Sequence, residues 1–132
     1  MVAAGASAAA RLTTVRCYLE RVPVAPAAST RAAAAMTLAG GAHPEGAVWV
    51  IANAPTALAA LLDLCATAQV RPAAVVGLPV GYVGAAEAKA ALWKSSLRDI
   101  AITNHGPRGG SGVAAAAINA LARMARLASD PP

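Results

Sequence analysis

Apolar and polar positions form three similar units along the chain, each a short apolar run, a small polar loop and a longer segment with helical spacing. The runs are 47–52 (AVWVIA), 73–78 (AAVVGL) and 99–103 (DIAIT). Runs of this length that are rich in Val and Ile are typical of buried strands, and apolar residues three to four apart in the segments that follow predict amphipathic helices. Strands that alternate with helices predict a parallel sheet covered by helices on both faces.

A fourth unit of the same kind is expected nearer the start of the chain. Residues 14–20 (TVRCYLE) predict a strand, residues 21–30 a loop, and residues 31–41 (RAAAAMTLAGG) a helix. The Ala-rich stretch 1–12 has no acidic residue and predicts a further helix, because it lacks the basic start and long apolar centre of a signal peptide. The length suits one α/β domain over residues 1–132.

The loops that leave the strands are the expected place for a ligand. Right-handed crossovers between parallel strands put these loops along one edge of the sheet, where open α/β sheets bind ligands. The loops NAPT (53–56), PVGY (79–82) and GPRGGS (106–111) should therefore lie side by side. Asn53 and Ser111 are predicted to cap the helices that follow the first and the last of them.

Composition limits which ligand these loops can bind. Hydrophobic residues make up 58% of the chain and charged residues 13%, with a net charge of +5. The nine arginines and two lysines form no basic run and have few aromatic residues between them, which argues against nucleic acid as a partner. A dispersed positive charge is compatible with a small polyanion. The longest uncharged apolar stretch, 73–86, contains Pro79 and three glycines and is shorter than the roughly 20 residues of a membrane span.

The glycine-rich loop 106–111 has two possible roles. Its glycines let a ligand approach the backbone, the helix that begins near Ser111 offers free N–H groups, and Arg108 can grip a carboxylate with two hydrogen bonds. A tight turn without a ligand explains the same residues equally well. The loop matches neither GxGxxG nor a Walker loop, so nucleotide binding through Gly109, Gly110 and Ser111 is the weakest alternative.

Few groups in the chain suit acid–base or metal chemistry. Cys17 and Cys65 form no CxxC pair and no cluster with the two histidines, so both are expected to be buried free thiols of a cytoplasmic protein, and no metal site is expected. His43 lies in a connection that enters a strand, on the edge opposite to the strand-exit loops, and is expected to be exposed. His105 lies in the last of those loops and is the histidine placed to titrate against a ligand.

Three long stretches carry a resemblance to a known family. GAVWVIANAPTALAALLDL (46–64), RPAAVVGLPVGYVGAAEAKAAL (71–92) and GPRGGSGVAAAAINAL (106–121) are similar to the signature segments of the precorrin-8X methylmutases, also called cobalt-precorrin-8 methylmutases. STRAAAAM (29–36) resembles the Thr-Arg helix start of that family. The resemblance covers essentially the whole chain and implies a flavodoxin-like three-layer α/β/α fold with a parallel sheet.

The same resemblance implies a function. The implied reaction belongs to cobalamin biosynthesis and moves a methyl group from C11 to C12 of the precorrin-8X ring, giving hydrogenobyrinic acid or its cobalt form, without a cofactor. It also implies a homodimer that holds the corrinoid, a tetrapyrrole with many carboxylate arms, between its loops, and no membrane partner. The substrate-binding residues implied for this chain are Thr30, Arg31, Asn53, Ala54, Thr56, Gly81, Tyr82, Arg108, Gly109, Gly110 and Ser111.

Departures from the family pattern bear on activity. The family's chains carry the catalytic histidine and a central first strand before the point that matches Met1, so none of the residues here is expected to be catalytic, and His43 and His105 align elsewhere. Ala52 replaces a usual glycine, and Pro107 stands where a basic residue is common. The expectation is therefore an isomerase whose four-stranded sheet is missing its first strand. The alternative is a non-catalytic corrinoid-binding remnant or pseudoenzyme.

Overall fold

The computed structural model of the protein describes residues 2–129 and shows short strands that alternate with longer helices. In chain order the elements are α1 (Val2–Gly5), α2 (Ser7–Ala10), a 3-10 turn (Leu19–Arg21), α3 (Arg31–Ala42), β1 (Val48–Ile51), α4 (Pro55–Ala66), β2 (Ala74–Gly77), α5 (Ala85–Lys94), a second 3-10 turn (Arg98–Ile100), β3 (Ala101–Thr103) and α6 (Ser111–Ser129). Within that range, no helix combines the length and the apolar character that crossing a membrane requires.

The three strands of the described residues form one parallel sheet in the order β1-β2-β3. Val50 of β1 lies beside Val76 of β2, which in turn lies beside Ile102 of β3. The runs predicted at 47–52, 73–78 and 99–103 are confirmed as strands, and so is the α/β class with a parallel sheet. Apolar, β-branched residues suit strands that helices cover on both faces.

Alternate strand residues pack against different helices. Trp49, Ile51 and Val75 belong to the largest core cluster, which they share with α3, α4 and α5. Val76 belongs to a second cluster with Ala114 of α6. Because successive side chains of a strand point to opposite faces, the helices form one layer on each side of the sheet. The result is the expected three-layer arrangement.

The helix predicted over residues 1–12 is two short helices, α1 and α2, separated by a non-helical residue with φ of −83° and ψ of 48°; Met1 lies outside the described residues. The Asn119 side chain of α6 explains the break. Its Oδ1 atom accepts a hydrogen bond from the N–H of Ala8 at 2.9 Å, and its Nδ2 atom donates to the carbonyl of Gly5 at 2.8 Å. Asn119 thereby satisfies main-chain groups at the start of α2 and the end of α1.

The prediction of a strand over residues 14–20 is wrong. The sheet within residues 2–129 therefore has three strands, where four were expected. The segment is irregular up to Tyr18 and then forms a 3-10 turn. In the described chain, residues 14–17 make no backbone–backbone hydrogen bond. A β-prone sequence forms a strand only when a neighbouring strand supplies the ladder of hydrogen bonds, and within residues 2–129 no strand pairs with this segment. Tyr18 holds the segment instead, because its ring is buried in the largest cluster.

One of the two cysteines, which were both expected to be buried, is exposed. Both are free, but Cys17 is exposed, since it lies in the irregular segment. Cys65 on α4 is half-buried, and burial raises the pKa of its thiol. The prediction of a buried thiol is therefore wrong for Cys17.

Candidate functional site

The loops that leave the strands meet at one edge of the sheet, as predicted. Backbone hydrogen bonds join them: the N–H of Gly81 donates to the carbonyl of Pro107 at 2.9 Å, and the N–H of Gly110 donates to the carbonyl of Leu78 at 2.9 Å. Helices α4, α5 and α6 begin at this edge, so their N-terminal N–H groups lie along it. We call this edge the rim, and it consists of residues 53–56, 78–84 and 104–111 together with Thr30.

Asn53 and Ser111 join the first and the last rim loop. The hydroxyl of Ser111 donates a hydrogen bond to Asn53 Oδ1 at 3.1 Å. The capping roles predicted for both side chains are wrong. The residue that precedes α4 is Ala54, which has no side-chain cap, and the carbonyl that opens α6 belongs to Gly110 and accepts from Ala114. The two side chains bond each other instead, and so link the exits of β1 and β3.

Helix α3 also begins at the rim. Thr30 precedes it, and its Oγ1 atom accepts a hydrogen bond from the N–H of Ala33 at 3.1 Å, as a capping threonine does. The same oxygen lies 2.8 Å from Oγ1 of Thr56 in the first turn of α4. Two predicted binding residues from distant parts of the sequence are thus in direct contact.

The Arg31 guanidinium donates hydrogen bonds to main-chain carbonyls of its own chain. Its Nε atom donates to the carbonyl of Val22 at 2.7 Å, and a terminal nitrogen donates to the carbonyl of Leu19 at 3.2 Å. The guanidinium therefore fixes the chain that precedes α3, and fewer of its five donors remain for a ligand. Direct ligand binding by Arg31 stays a prediction.

The glycine-rich loop passes so close to the exit of β2 that Gly109 has no room for a side chain. A Cβ atom there would overlap the carbonyl oxygen of Leu78 and would lie 2.6 Å from that of Pro79. Gly110 has a φ of 112°, which residues with a side chain rarely adopt. Packing between rim loops therefore requires both glycines, in agreement with the tight-turn interpretation, whether or not a ligand binds.

Lys89 of α5 contacts the rim, and the sequence did not predict this contact. Its side chain is 2% exposed, and its Nζ atom donates to Asn104 Oδ1 at 2.9 Å and to the carbonyl of Arg108 at 2.6 Å. Burial lowers the pKa of this ammonium, because water no longer solvates its charge. Asn104 Nδ2 donates to the same carbonyl at 3.1 Å, so two side chains hold the glycine-rich loop.

Helical spacing is the signal that could have identified Lys89. The buried residues of α5 are Ala85, Ala88, Lys89 and Leu92. These positions follow the i, i+3, i+4, i+7 spacing that places side chains on one face of a helix. A lysine on an apolar face needs nearby acceptors, and the loops at the strand exits supply them here.

Part of the rim projects into solvent. Tyr82 is 95% exposed and Val83 is 91% exposed. Arg108 is exposed as well; its carbonyl accepts hydrogen bonds, but within residues 2–129 its guanidinium makes none. Neighbouring exposed apolar side chains are typical of a binding surface. An aromatic ring and a guanidinium are therefore accessible to a ligand at this edge.

The histidines lie at opposite edges of the sheet, as expected. His105 is exposed in the last rim loop. His43 follows α3 at the other edge and is half-buried rather than exposed, because its Nε2 atom lies 2.8 Å from the Tyr18 hydroxyl and the two rings meet edge to face. In the part of the chain that the structure describes, no group of three or more His, Cys, Asp and Glu side chains could hold a metal ion.

Sequence comparisons indicate one family. The CbiC precorrin-8X methylmutase family model matches residues 1–124. The chain is 51% identical over 80 residues to the precorrin-8X methylmutase of Pseudomonas aeruginosa, over 61% of this chain and 38% of that protein. It is 42% identical over 115 residues to the cobalt-precorrin-8 methylmutase of Methanothermobacter thermautotrophicus, over 84% of this chain and 54% of that protein. The chain spans about half the length of the curated relatives it matches.

Solved structures share the fold. A precorrin-8X methylmutase related protein superposes with a TM-score of 0.78 at 33% identity, over 93% of this chain and 66% of that one. The precorrin-8X methylmutase of Thermus thermophilus superposes with a TM-score of 0.67 at 39% identity, over 76% of this chain and 50% of that one. The resemblance carried by the three signature stretches is confirmed, since the family model extends over nearly the whole sequence. The chain belongs to the precorrin-8X methylmutase family.

Proposed function

We propose that the protein acts in cobalamin biosynthesis as a corrin-ring isomerase that moves a methyl group from C11 to C12 of precorrin-8X or of its cobalt form. The family match over residues 1–124 is the observation that carries this proposal. One carbon–carbon bond breaks at C11 and one forms at C12, so the atoms and electrons balance without a further reagent. The role of the protein is to bind the ring and to hold it in one orientation.

The rim supports the binding of a macrocycle that carries carboxylate arms. Helices α4 and α5 begin there without side-chain caps, so the N–H groups of Thr56 in α4 and of the first turn of α5 can face anionic oxygens, which the helix dipoles also favour. The two helix starts differ, because α5 carries Glu87 in its first turn, whereas α4 begins with Pro55, which has no N–H, and the N–H of Ala57 donates to the carbonyl of Ala54. The accessible guanidinium of Arg108 can bind a carboxylate with two hydrogen bonds. The other proposed ligand contacts are Thr30, Asn53, Ala54, Thr56, Gly81, Tyr82, Gly109, Gly110 and Ser111.

Corrinoid binding without turnover is the second candidate function, and the positions of the histidines favour it. The resemblance assigns the proton transfer that starts the methyl shift to a histidine outside the matched segments. His43 Nε2 lies 2.8 Å from the Tyr18 hydroxyl at the edge opposite to the rim, and His105 is exposed on the last rim loop. Under this alternative the ring binds at the rim and its methyl groups stay in place.

Incubation of the purified chain with precorrin-8X distinguishes the two functions. The isomerase function predicts hydrogenobyrinic acid, identified by chromatography and its visible absorption. The binding function predicts an unconverted tetrapyrrole that elutes together with the protein. If neither product nor bound pigment is found, both functions are wrong. Sedimentation with and without the pigment tests the expected homodimer, which stays a prediction.

A further inference from the structure

A surface loop whose two ends lie close together precedes α3. The Arg31 guanidinium closes it, because its Nε atom donates a hydrogen bond to the carbonyl of Val22 at 2.7 Å. Surface loops of roughly 6–16 residues whose ends meet in this way are called Ω-loops and are frequently functional. We call residues 22–30 (VPVAPAAST) the Ω-loop. This segment has no charged residue and no glycine, and its two prolines restrict the backbone.

The Ω-loop is weakly held between its ends. Residues 23–29 are all exposed, and Val24 is 77% exposed. In the described chain these residues make one backbone–backbone hydrogen bond, from the N–H of Ser29 to the carbonyl of Pro26 at 3.2 Å. That bond closes a turn in which Ala28 has a φ of 57°, and a residue with a side chain adopts this left-handed conformation only at a cost in free energy. Few contacts and local strain are properties of segments that change conformation easily.

The start of α4 lies between the Ω-loop and the rim loop 78–84. On one side, Oγ1 of Thr30, the last residue of the Ω-loop, lies 2.8 Å from Oγ1 of Thr56. On the other side, a Cβ atom at Gly84 would lie 3.4 Å from Cβ of Pro55. The first two residues of α4 therefore each contact the end of a different loop. A ligand at the start of α4 has the Ω-loop on one side and the loop 78–84 on the other.

Both loops present apolar side chains to solvent. Val80, Tyr82 and Val83 are exposed on the loop 78–84, as Val24 is on the Ω-loop. Exposed apolar side chains that lie near one another are typical of binding surfaces. The groups between the two loops are polar, because the start of α4 offers the hydroxyl and the N–H of Thr56. Apolar side chains therefore lie on both sides of a polar helix start.

We propose that the Ω-loop folds toward the loop 78–84 when a ligand binds at the start of α4, and that Val24 and Pro26 then cover an apolar face of the ligand. A tetrapyrrole fits this arrangement, because the faces of its ring are uncharged and its carboxylate arms extend from the edge of the ring. The arms bind the N–H groups and hydroxyls of the rim. Closure excludes water from these polar contacts and so strengthens them. This inference rests on the proposed function, since it takes the corrinoid as the ligand, and it adds two ligand contacts.

The first test compares the Ω-loop in the free and the ligand-bound chain. The probe is hydrogenobyrinic acid, the product of the proposed reaction, and visible absorption measures its binding to the full chain. The N–H groups of Val24, Ala25 and Ala27 make no backbone–backbone hydrogen bond in the described chain, so they should exchange rapidly without the pigment. We expect exchange to slow at least about tenfold when the pigment is bound, because the loop is then covered. Proteolytic cleavage within residues 23–29 should slow as well.

The second test asks whether the Val24 side chain contacts the ring. Because Val24 is exposed in the free protein, Val24→Ser should unfold at the same temperature as the original chain. It should bind hydrogenobyrinic acid about fivefold more weakly, since the apolar surface that the ring would bury is lost. Leu127→Ser is the matched control, because Leu127 is 75% exposed and lies about 24 Å along α6 from its start at the rim. This control should bind the pigment as the original chain does.

The two tests together distinguish this proposal from the proposed function. Slower exchange in the Ω-loop together with weaker binding by Val24→Ser supports closure over the ring. If the pigment binds but exchange in the loop is unchanged, the loop stays open and this proposal is wrong, whereas corrinoid binding stands. If exchange slows but Val24→Ser and Leu127→Ser bind equally, Val24 does not cover the ring, which also contradicts the proposal. If absorption shows no binding to the original chain, the proposed function fails and this proposal fails with it.

Discussion

Lys89 donates a 2.6 Å hydrogen bond from Nζ to the main-chain carbonyl of Arg108. One residue is buried on the apolar face of α5, and the other carries an exposed guanidinium at the rim. The buried cation therefore holds the backbone from which the exposed cation extends. A substitution of Lys89 should therefore alter ligand binding by moving the glycine-rich loop, although Lys89 does not contact the ligand.

Replacement of Lys89 by Met should loosen the glycine-rich loop without unfolding the protein. The substitution removes two hydrogen bonds, but it also removes the cost of burying an ammonium, so we expect the free energy of unfolding to change by less than about 2 kcal/mol. Amides of residues 106–110 should exchange faster, and corrinoid affinity should fall. Urea denaturation and hydrogen exchange measure these effects. Lys94→Met, at an exposed position of the same helix, should change neither, and equal exchange in the two variants would contradict the role of Lys89.

The same lysine makes stability depend on pH. Burial lowers its pKa in the folded state from the ordinary value of 10.5. Between the two pKa values the unfolded chain binds more protons than the folded chain, so the free energy of unfolding rises with pH across that interval. The difference in this free energy between the original chain and Lys89→Met should therefore shift in favour of the original chain as the pH rises toward 10.5. Urea titrations at several alkaline pH values measure the difference, and a constant value would argue against a depressed pKa.

Gly109→Ala should distort the rim. The added methyl group would meet the main-chain oxygens of Leu78 and Pro79, which cannot turn aside as a flexible side chain can. We expect the free energy of unfolding to fall by about 1–3 kcal/mol, with weaker corrinoid binding. Gly112→Ala is the control, because nothing lies within 4 Å of a Cβ atom there and alanine favours a helix by up to about 1 kcal/mol. Thermal unfolding measures the stability of both variants. A Gly109→Ala variant as stable as the original chain would be inconsistent with this packing.

Arg108→Ala should weaken corrinoid binding by about 1.5–3 kcal/mol, because a charged hydrogen bond to a carboxylate is lost. Stability should hardly change, since the guanidinium makes no hydrogen bond within residues 2–129. Absorption titration with the pigment measures the dissociation constant. Arg123→Ala, at an exposed position on α6 about 18 Å along the helix from its start, should bind normally. An unchanged constant for Arg108→Ala would remove this arginine from the site.

Arg31→Ala should act on the irregular segment more than on the ligand. The carbonyls of Leu19 and Val22 would lose their guanidinium partner. We expect a loss of about 1 kcal/mol in the free energy of unfolding and faster proteolytic cleavage near residues 19–22. Arg16→Ala, at an exposed position of the same segment, is the matched control. A large fall in corrinoid affinity with unchanged proteolysis would instead favour direct ligand contact by Arg31.

The sheet was predictable because its signals are local. Short apolar runs marked β1, β2 and β3 to within two residues at each end, and the handedness of crossovers was sufficient to place their exits at one rim. The strand expected at 14–20 failed because a strand depends on its neighbour as well as on its own residues. Composition within a segment carries no information about that neighbour.

Side-chain partners were less predictable than the fold. Asn53 has the sequence position of a cap, but it bonds Ser111, a residue 58 positions away. His43 is half-buried because of Tyr18, which lies 25 positions earlier. Local rules assign a polar side chain to its own turn, whereas tertiary contacts offer competing partners. Lys89 was missed for the related reason that its acceptors come from a later loop.

The hydrogen bonds of Asn119 have a consequence for biosynthesis. They join the last helix to Ala8 and Gly5, over sequence separations of 111 and 114 residues. During translation α1 and α2 leave the ribosome long before α6 is made, so they cannot dock against Asn119 until α6 has been synthesised. Helices α1 and α2 therefore reach their final position only after a segment made more than a hundred residues later.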